Sequence, residues 1–268
     1  MASVAIERLG APPERVSEFV EFYTRRLRPM DAEEAAQSDR LHDELAREGR
    51  ESFLRKHVAE LTPGIAAGAF HGVIRTAYAV DTDDVADAIG AWLWEYATID
   101  VLRGSRDDPF RSVQRDDRFG ERLKGSSIVG RIRQVVAMPA FREYGFGRVT
   151  LEELARIAVQ IYLATADFTA LHMVTGCHAA RVLAPYLADD ALDHLATALL
   201  AAYITIGRPS FDLTEHDAPD WDTIAKTAIA SNDDHDLKMV YSCREEEAVY
   251  GWGLHRMAAA GRLGLLGF

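Results

Sequence analysis

Cysteine is nearly absent: the 268-residue chain has only Cys177 and Cys243, with no CxxC pair. That excludes a disulfide framework and a zinc knuckle, and it suits a reducing cytoplasm. Basic residues are also short, at 30 against 42 acidic ones, for a net charge of −12. Nucleic acid and anionic membranes are bound through basic patches, so neither is an expected partner. Long hydrophobic runs are missing too. The most apolar stretch, LATALLAAYITIG from Leu195 to Gly207, is too short to span a bilayer and reads as a buried helix. The opening residues MASVAIERLG carry Glu7 and Arg8, so they lack the apolar centre of a signal peptide.

Catalytic signatures are equally sparse. No GxGxxG opens a helix, and Gly251-Trp252-Gly253 lacks the third glycine, so a Rossmann nicotinamide or flavin site is not expected. A GxxxxGK[ST] loop, a GxSxG elbow and HExxH are absent as well.

What is present is helix, in a chain whose 48% apolar content allows a large core. Val16, Phe19, Val20, Tyr23 and Leu27 follow helical spacing after Pro12-Pro13, with a stop at Pro29. Phe53, Leu54, His57, Val58 and Leu61 repeat that spacing up to Thr62-Pro63-Gly64. A helix is expected from Ile65 to about Val80. Another, capped by Asp81-Thr82-Asp83, is expected to bear Trp92, Leu93, Tyr96 and Val101. Thr150 and Glu153 form a capping box, Asp167 restarts the chain, and Asp189-Asp190 caps the next helix. Trp221 to Ala230 and Asp234 to Tyr250 complete the set. No period-two strand pattern and no repeat is visible, so the chain reads as all-α, one domain over 1–268. Met30 to Arg50 is polar and reads as a mobile helix. Residues 104–125, dense in charge, read as a solvated insertion or a lid over a pocket.

The chemistry rests on histidine. His71, His172, His178 and His235 lie in apolar or small-residue surroundings, whereas His42, His194, His216 and His255 read as surface residues and His57 is ambiguous. Helical bundles build metal sites from side chains on facing helices, and neutral imidazole is a common ligand. His172 and His178 would stand roughly 120° and about 9 Å apart on a straight helix, so both could serve one ion only if the helix bent at Gly176. Lys238, three residues after His235, sits among Leu237, Met239 and Val240. If buried, its amine could take up carbon dioxide and become an anionic carbamate ligand.

Three segments, HGVIRTAY from His71, LHMVTGCHA from Leu171 and DHDLK from Asp234, come in the order found in the questin oxidase-like family, which the chain resembles over most of its length. The resemblance implies an α-helical oxygenase acting on aromatic polyketides such as anthraquinones, by Baeyer–Villiger-type oxygen insertion or ring opening. It implies a mononuclear iron on His71, His172, His178, His235 and a modified Lys238, with NADPH as a reductant for which no fingerprint is visible. Arg75 and Tyr78 of the first segment become the candidate catalytic residues, Arg75 standing one turn from His71 to meet a substrate phenolate or a core carboxylate. The family pattern has a histidine where Arg75 stands, and an Asn-His pair ahead of the residues that Met1-Ala2-Ser3 resemble. Trp92, Trp94, Tyr96, Phe141 and Tyr144 are candidates for an aromatic pocket, with core packing as their alternative. Two other readings stay open: a helical HD-type phosphohydrolase, for which Asp167, Asp233 and Asp234 are candidate ligands, and a non-catalytic module binding a hydrophobic ligand. No cofactor-binding residue and no oligomeric state is legible.

Overall fold

The computed structural model describes residues 1–27, 29–106, 108–125 and 127–266. Among them are fourteen α-helices and one short strand, Arg103–Arg106, whose Arg103 bridges Phe146. The all-α expectation holds. In chain order the helices are α1 (Ala2–Arg8), α2 (Pro13–Thr24), α3 (Ala32–Glu48), α4 (Arg50–Leu61), α5 (His71–Ala79), α6 (Val85–Glu95), α7 (Pro109–Gln114), α8 (Ile128–Ala137), α9 (Leu151–Thr165), α10 (Phe168–Leu183), α11 (Ala191–Thr205), α12 (Trp221–Ala230), α13 (Asp234–Tyr250) and α14 (Gly253–Arg262). No described helix is long and apolar enough to cross a membrane.

Helix α10 is the axis of the structure. Thirteen of its sixteen residues are buried, so it has no polar face, as expected of a helix surrounded by others. It packs against α5, α9, α11 and α13. Small residues make that crowding possible. A Cβ at Gly176 would stand 3.1 Å from the Phe70 ring, so glycine lets Phe70 lie against the helix. Helix α10 runs through Gly176 without interruption, and His172 and His178 do not meet at one point on it. A Cβ at Gly72 would lie 2.3 Å from the Trp92 ring, so only glycine allows α5 and α6 their approach.

Several boundaries differ from the sequence-based expectations. The segment expected as a helix from Ile65 instead follows a 3₁₀ turn at Thr62–Gly64 and runs as turns over 65–70, so α5 starts only at His71. Gly68, Ala69 and Phe70 all have positive φ (58°, 60° and 68°), which breaks the right-handed path. Two of the three carry a Cβ, so the turn stores strain directly ahead of a candidate ligand. Helix α6 stops at Glu95 and leaves Tyr96 and Val101 outside it, and its flanking Asp84 makes no side-chain cap. Asp190 likewise precedes α11 without capping it. The polar stretch after Met30 is helical, with a capping box between Asp31 and Glu34.

The charged stretch 104–125, of which Asp107 lies outside the described residues, buries Phe110, Val113 and Phe119. Arg208 donates to the Val113 and Asp116 carbonyls at 3.0 and 2.6 Å. It is therefore tied into the core rather than solvated along its length. Its far end reaches α10, where Arg122 pairs with Asp167 at 2.6 Å.

Candidate metal centre

Three of the five proposed ligands converge. His71 opens α5, His172 lies one turn into α10, and His235 lies in the first turn of α13. One nitrogen from each ring lies within 4.8 Å of the other two. His71 Nε2 and His172 Nε2 are 3.0 Å apart, and the ring centroids of His172 and His235 are 5.7 Å apart.

Their partners fix how the rings present themselves. His172 Nδ1 lies 2.8 Å from the Phe168 carbonyl, which can only accept, so Nδ1 carries the proton and Nε2 offers its lone pair. His235 Nδ1 faces Asp234 at 3.3 Å and Asp233 at 3.4 Å, an arrangement that orients an imidazole toward a metal. Burial, and then the neighbouring positive charges, push His71 down to about 3; burial pushes His172 down to about 4. Both are neutral at physiological pH, the form that ligates. Two imidazole nitrogens aimed at each other across 3.0 Å, with a third beside them, match the donor set of a cation site.

Lys238 stands next to this set. Its Nζ donates to Asp234 Oδ2 at 2.6 Å, and burial lowers its pKa while Asp234 opposes that shift. Burial would raise the Asp234 carboxyl, but His235 and Lys238 outweigh it and hold it below the usual carboxylate range.

His178 does not join them. It lies on a different face of α10, where Nδ1 donates to Glu246 at 2.8 Å and Arg181 Nε donates to the same oxygen at 2.7 Å. His178 and Glu246 are both buried, and the second carboxylate oxygen has no partner. Burial would raise the Glu246 carboxyl, yet His178 and Arg181 hold it below its ordinary value. His255, expected at the surface, is also buried in this region, stacked near Tyr250 and Trp252. The signal for Glu246 was a glutamate among Val240, Tyr241 and Cys243, but the helical wheel of α13 is nearly uniform and names no buried face.

The other candidates fall outside the ligand set. Arg75, one turn after His71, pairs with Glu95 at 3.5 Å. Tyr78 is fully buried, and its hydroxyl donates to the Lys238 carbonyl at 3.0 Å, tying α5 to α13. Trp92 is packed in the core with Nε1 bonded to the Gly64 carbonyl, while Trp94 and Tyr96 are exposed. Phe141 and Tyr144 are buried, Tyr144 bonding Asp116. The aromatic ring that does meet the histidines is Phe168, with centroids 4.6 Å from His172 and 4.7 Å from His235. Sequence reasoning missed it; its spacing one turn before His172 was the available signal. Asp167 caps α10 and pairs with Arg122, away from a ligand role.

Neutral buried imidazoles have a measurable consequence. The ordinary histidine value is 6.5, and His172 and His255 are each lowered to about 4 in the folded chain. Below 6.5 the unfolded chain binds more protons, so stability is complete above that pH and declines toward 4. Metal-free protein is expected to lose about 2 kcal/mol for each of these rings on going from pH 7 to about pH 5. Denaturant titrations at the two pH values check this, and equal midpoints would contradict it.

Fold and site together define an all-α protein with a three-histidine candidate metal centre at its central helix. A family model described as questin oxidase-like matches residues 99–243, more than half of the chain. The chain belongs to that family. The match includes His172, His178, His235 and Lys238, while His71 precedes it. A comparison with individually curated proteins gives no match. Family membership makes it an enzyme of the oxidase or oxygenase kind, associated with aromatic polyketides.

Proposed function

We propose that the protein oxidises an anthraquinone-like aromatic polyketide with dioxygen, at a mononuclear iron held by His71, His172 and His235. The observation that carries this reading is the convergence of three imidazoles from three helices, two of them, His71 and His172, held neutral by burial. Imidazole-rich sites with an added anionic oxygen suit iron(II) and leave positions open. Iron bound there supplies the one-electron chemistry through which dioxygen reacts with a closed-shell phenol.

The chain's own residues do the rest. Asp233 and Asp234 hold the His235 ring in place from behind. Buried α10 keeps bulk water from His172. Arg75, a third exposed and shared with Glu95, offers a guanidinium to a substrate phenolate. Tyr78 ties α5 to α13, which keeps His71 and His235 at a fixed separation. Lys238 is assigned the anionic ligand: its deprotonated amine would add to carbon dioxide, a nitrogen–carbon bond forming as one carbon–oxygen π bond breaks, with two of the three ammonium protons lost to solvent and one kept on nitrogen. That carbamate replaces the ion pair with Asp234, which then serves His235 alone. Intact mass of the loaded protein, higher by one carbon dioxide, supports it; an unmodified mass rejects it.

Insertion of one oxygen atom with release of the other as water consumes an electron pair, for which NADPH is the assigned donor. Incorporation of both atoms consumes none. Anaerobic purification, metal quantitation and oxygen uptake with a panel of hydroxyanthraquinones, with and without NADPH, test the reading. About one iron per chain and uptake with at least one substrate are expected, and no uptake by iron-loaded protein across the panel rejects it. The grouping of Asp233, Asp234 and His235 favours a second reading, a metal phosphohydrolase. Manganese or magnesium in place of iron would identify it, although Lys238 and Arg262 already neutralise those carboxylates.

A further inference from the structure

Phe168 occupies an unusual position for an apolar ring. It is the first residue of α10 and is 48% exposed, yet its ring packs edge-on against both His172 and His235. It therefore spans from α10 to α13 across the candidate centre, with the rest of its surface open to solvent. Contact with the two histidines does not cover it, since the residue as a whole stays about half exposed.

Its backbone has a separate task, since the Phe168 carbonyl receives the His172 Nδ1 proton. The main chain there is held without help from the ring. Asp167 accepts from the Thr169 amide at 2.6 Å and pairs with Arg122, and Arg131 donates to Thr169 Oγ1 at 3.0 Å. Four side chains thus pin the first turn of α10, leaving the Phe168 side chain free to serve another purpose.

We propose that the exposed surface of Phe168 is the platform on which a planar hydroxylated aromatic substrate stacks, placing its oxygenated ring beside the three histidines. This rests on the oxygenase reading above. Stacking suits such a substrate because offset aromatic faces attract beyond the area they bury. It also selects flat, fused rings over aliphatic molecules of equal volume, so Phe168 is a substrate-positioning residue that determines specificity.

The test uses the full chain with Phe168→Ala, Phe168→Leu and Phe168→Trp. Binding of a hydroxyanthraquinone is followed through its visible absorbance in metal-free and iron-loaded protein, with iron content measured alongside. Phe168→Ala and Phe168→Leu are expected to weaken binding about tenfold, the equivalent of one good aromatic contact. Iron content should stay at the wild-type level, and Phe168→Trp should restore binding. In turnover, KM rises with little change in kcat. Unchanged binding in Phe168→Ala, or wild-type binding in Phe168→Leu, overturns the proposal. Loss of iron in step with loss of binding also overturns it, because the ring would then only support the histidines. If wild-type protein turns over the substrate while Phe168→Ala matches its KM, this inference alone fails; if wild-type protein binds no hydroxyanthraquinone, the oxygenase reading falls with it.

Discussion

Protein carrying His172→Ala is expected to bind iron(II) at least about a hundredfold more weakly than wild type and to show no oxygen uptake. Loss of a residue that merely orients a ligand costs roughly 10–100-fold in metal affinity, and removing the ligand itself should exceed that. His172 is the central member, facing His71 at 3.0 Å and held by the Phe168 carbonyl. Asp234→Asn should fall within the orienting range, because it leaves His235 in place while weakening its support. His178→Gln should retain iron, since that ring is bonded to Glu246 rather than to the other histidines. Metal analysis of the three folded variants reads out each outcome. Full iron loading in His172→Ala would remove the proposed centre.

Glu246→Ala should cause the largest loss of stability, about 3–5 kcal/mol, without changing iron content per folded chain. Glu246 is buried and receives both His178 and Arg181 on one oxygen. Truncation leaves an arginine and a buried imidazole without their shared acceptor. The Arg181 side chain is 24% exposed and can turn toward water, which favours the lower end of the range. Denaturant unfolding followed by circular dichroism measures the change, and a loss below about 1 kcal/mol would show that the network contributes little. Because His172 and Glu246 face different neighbours around α10, their effects should separate: one removes metal, the other stability.

The helices were largely legible because their signals are local. Helix α13 spans Asp234–Tyr250 as expected, and the Thr150–Glu153 capping box starts α9. The strained turn at Gly68, Ala69 and Phe70 was not legible, because alanine and phenylalanine do not announce positive φ. Nor was the depth of His255, which lies among residues of mixed polarity, stacks near Tyr250 and Trp252 just before it, and is buried where α14 packs against α9 and α13.

The site divides the same way. That imidazoles at positions 71, 172, 178 and 235 stand out as candidates could be read from their small, apolar neighbours, as could membership of a helical family. Which of them share a centre could not. Helix periodicity restricts residues within one helix, and it left His178 dependent on a bend; the ring turns to Glu246 instead. The meeting of His71, His172 and His235 is set by how α5 and α13 pack on α10; Gly176 admits Phe70, just ahead of α5, against α10, while Gly72 lets α6 close on α5. Local chemistry made the helices; close packing between distant segments chose the ligands.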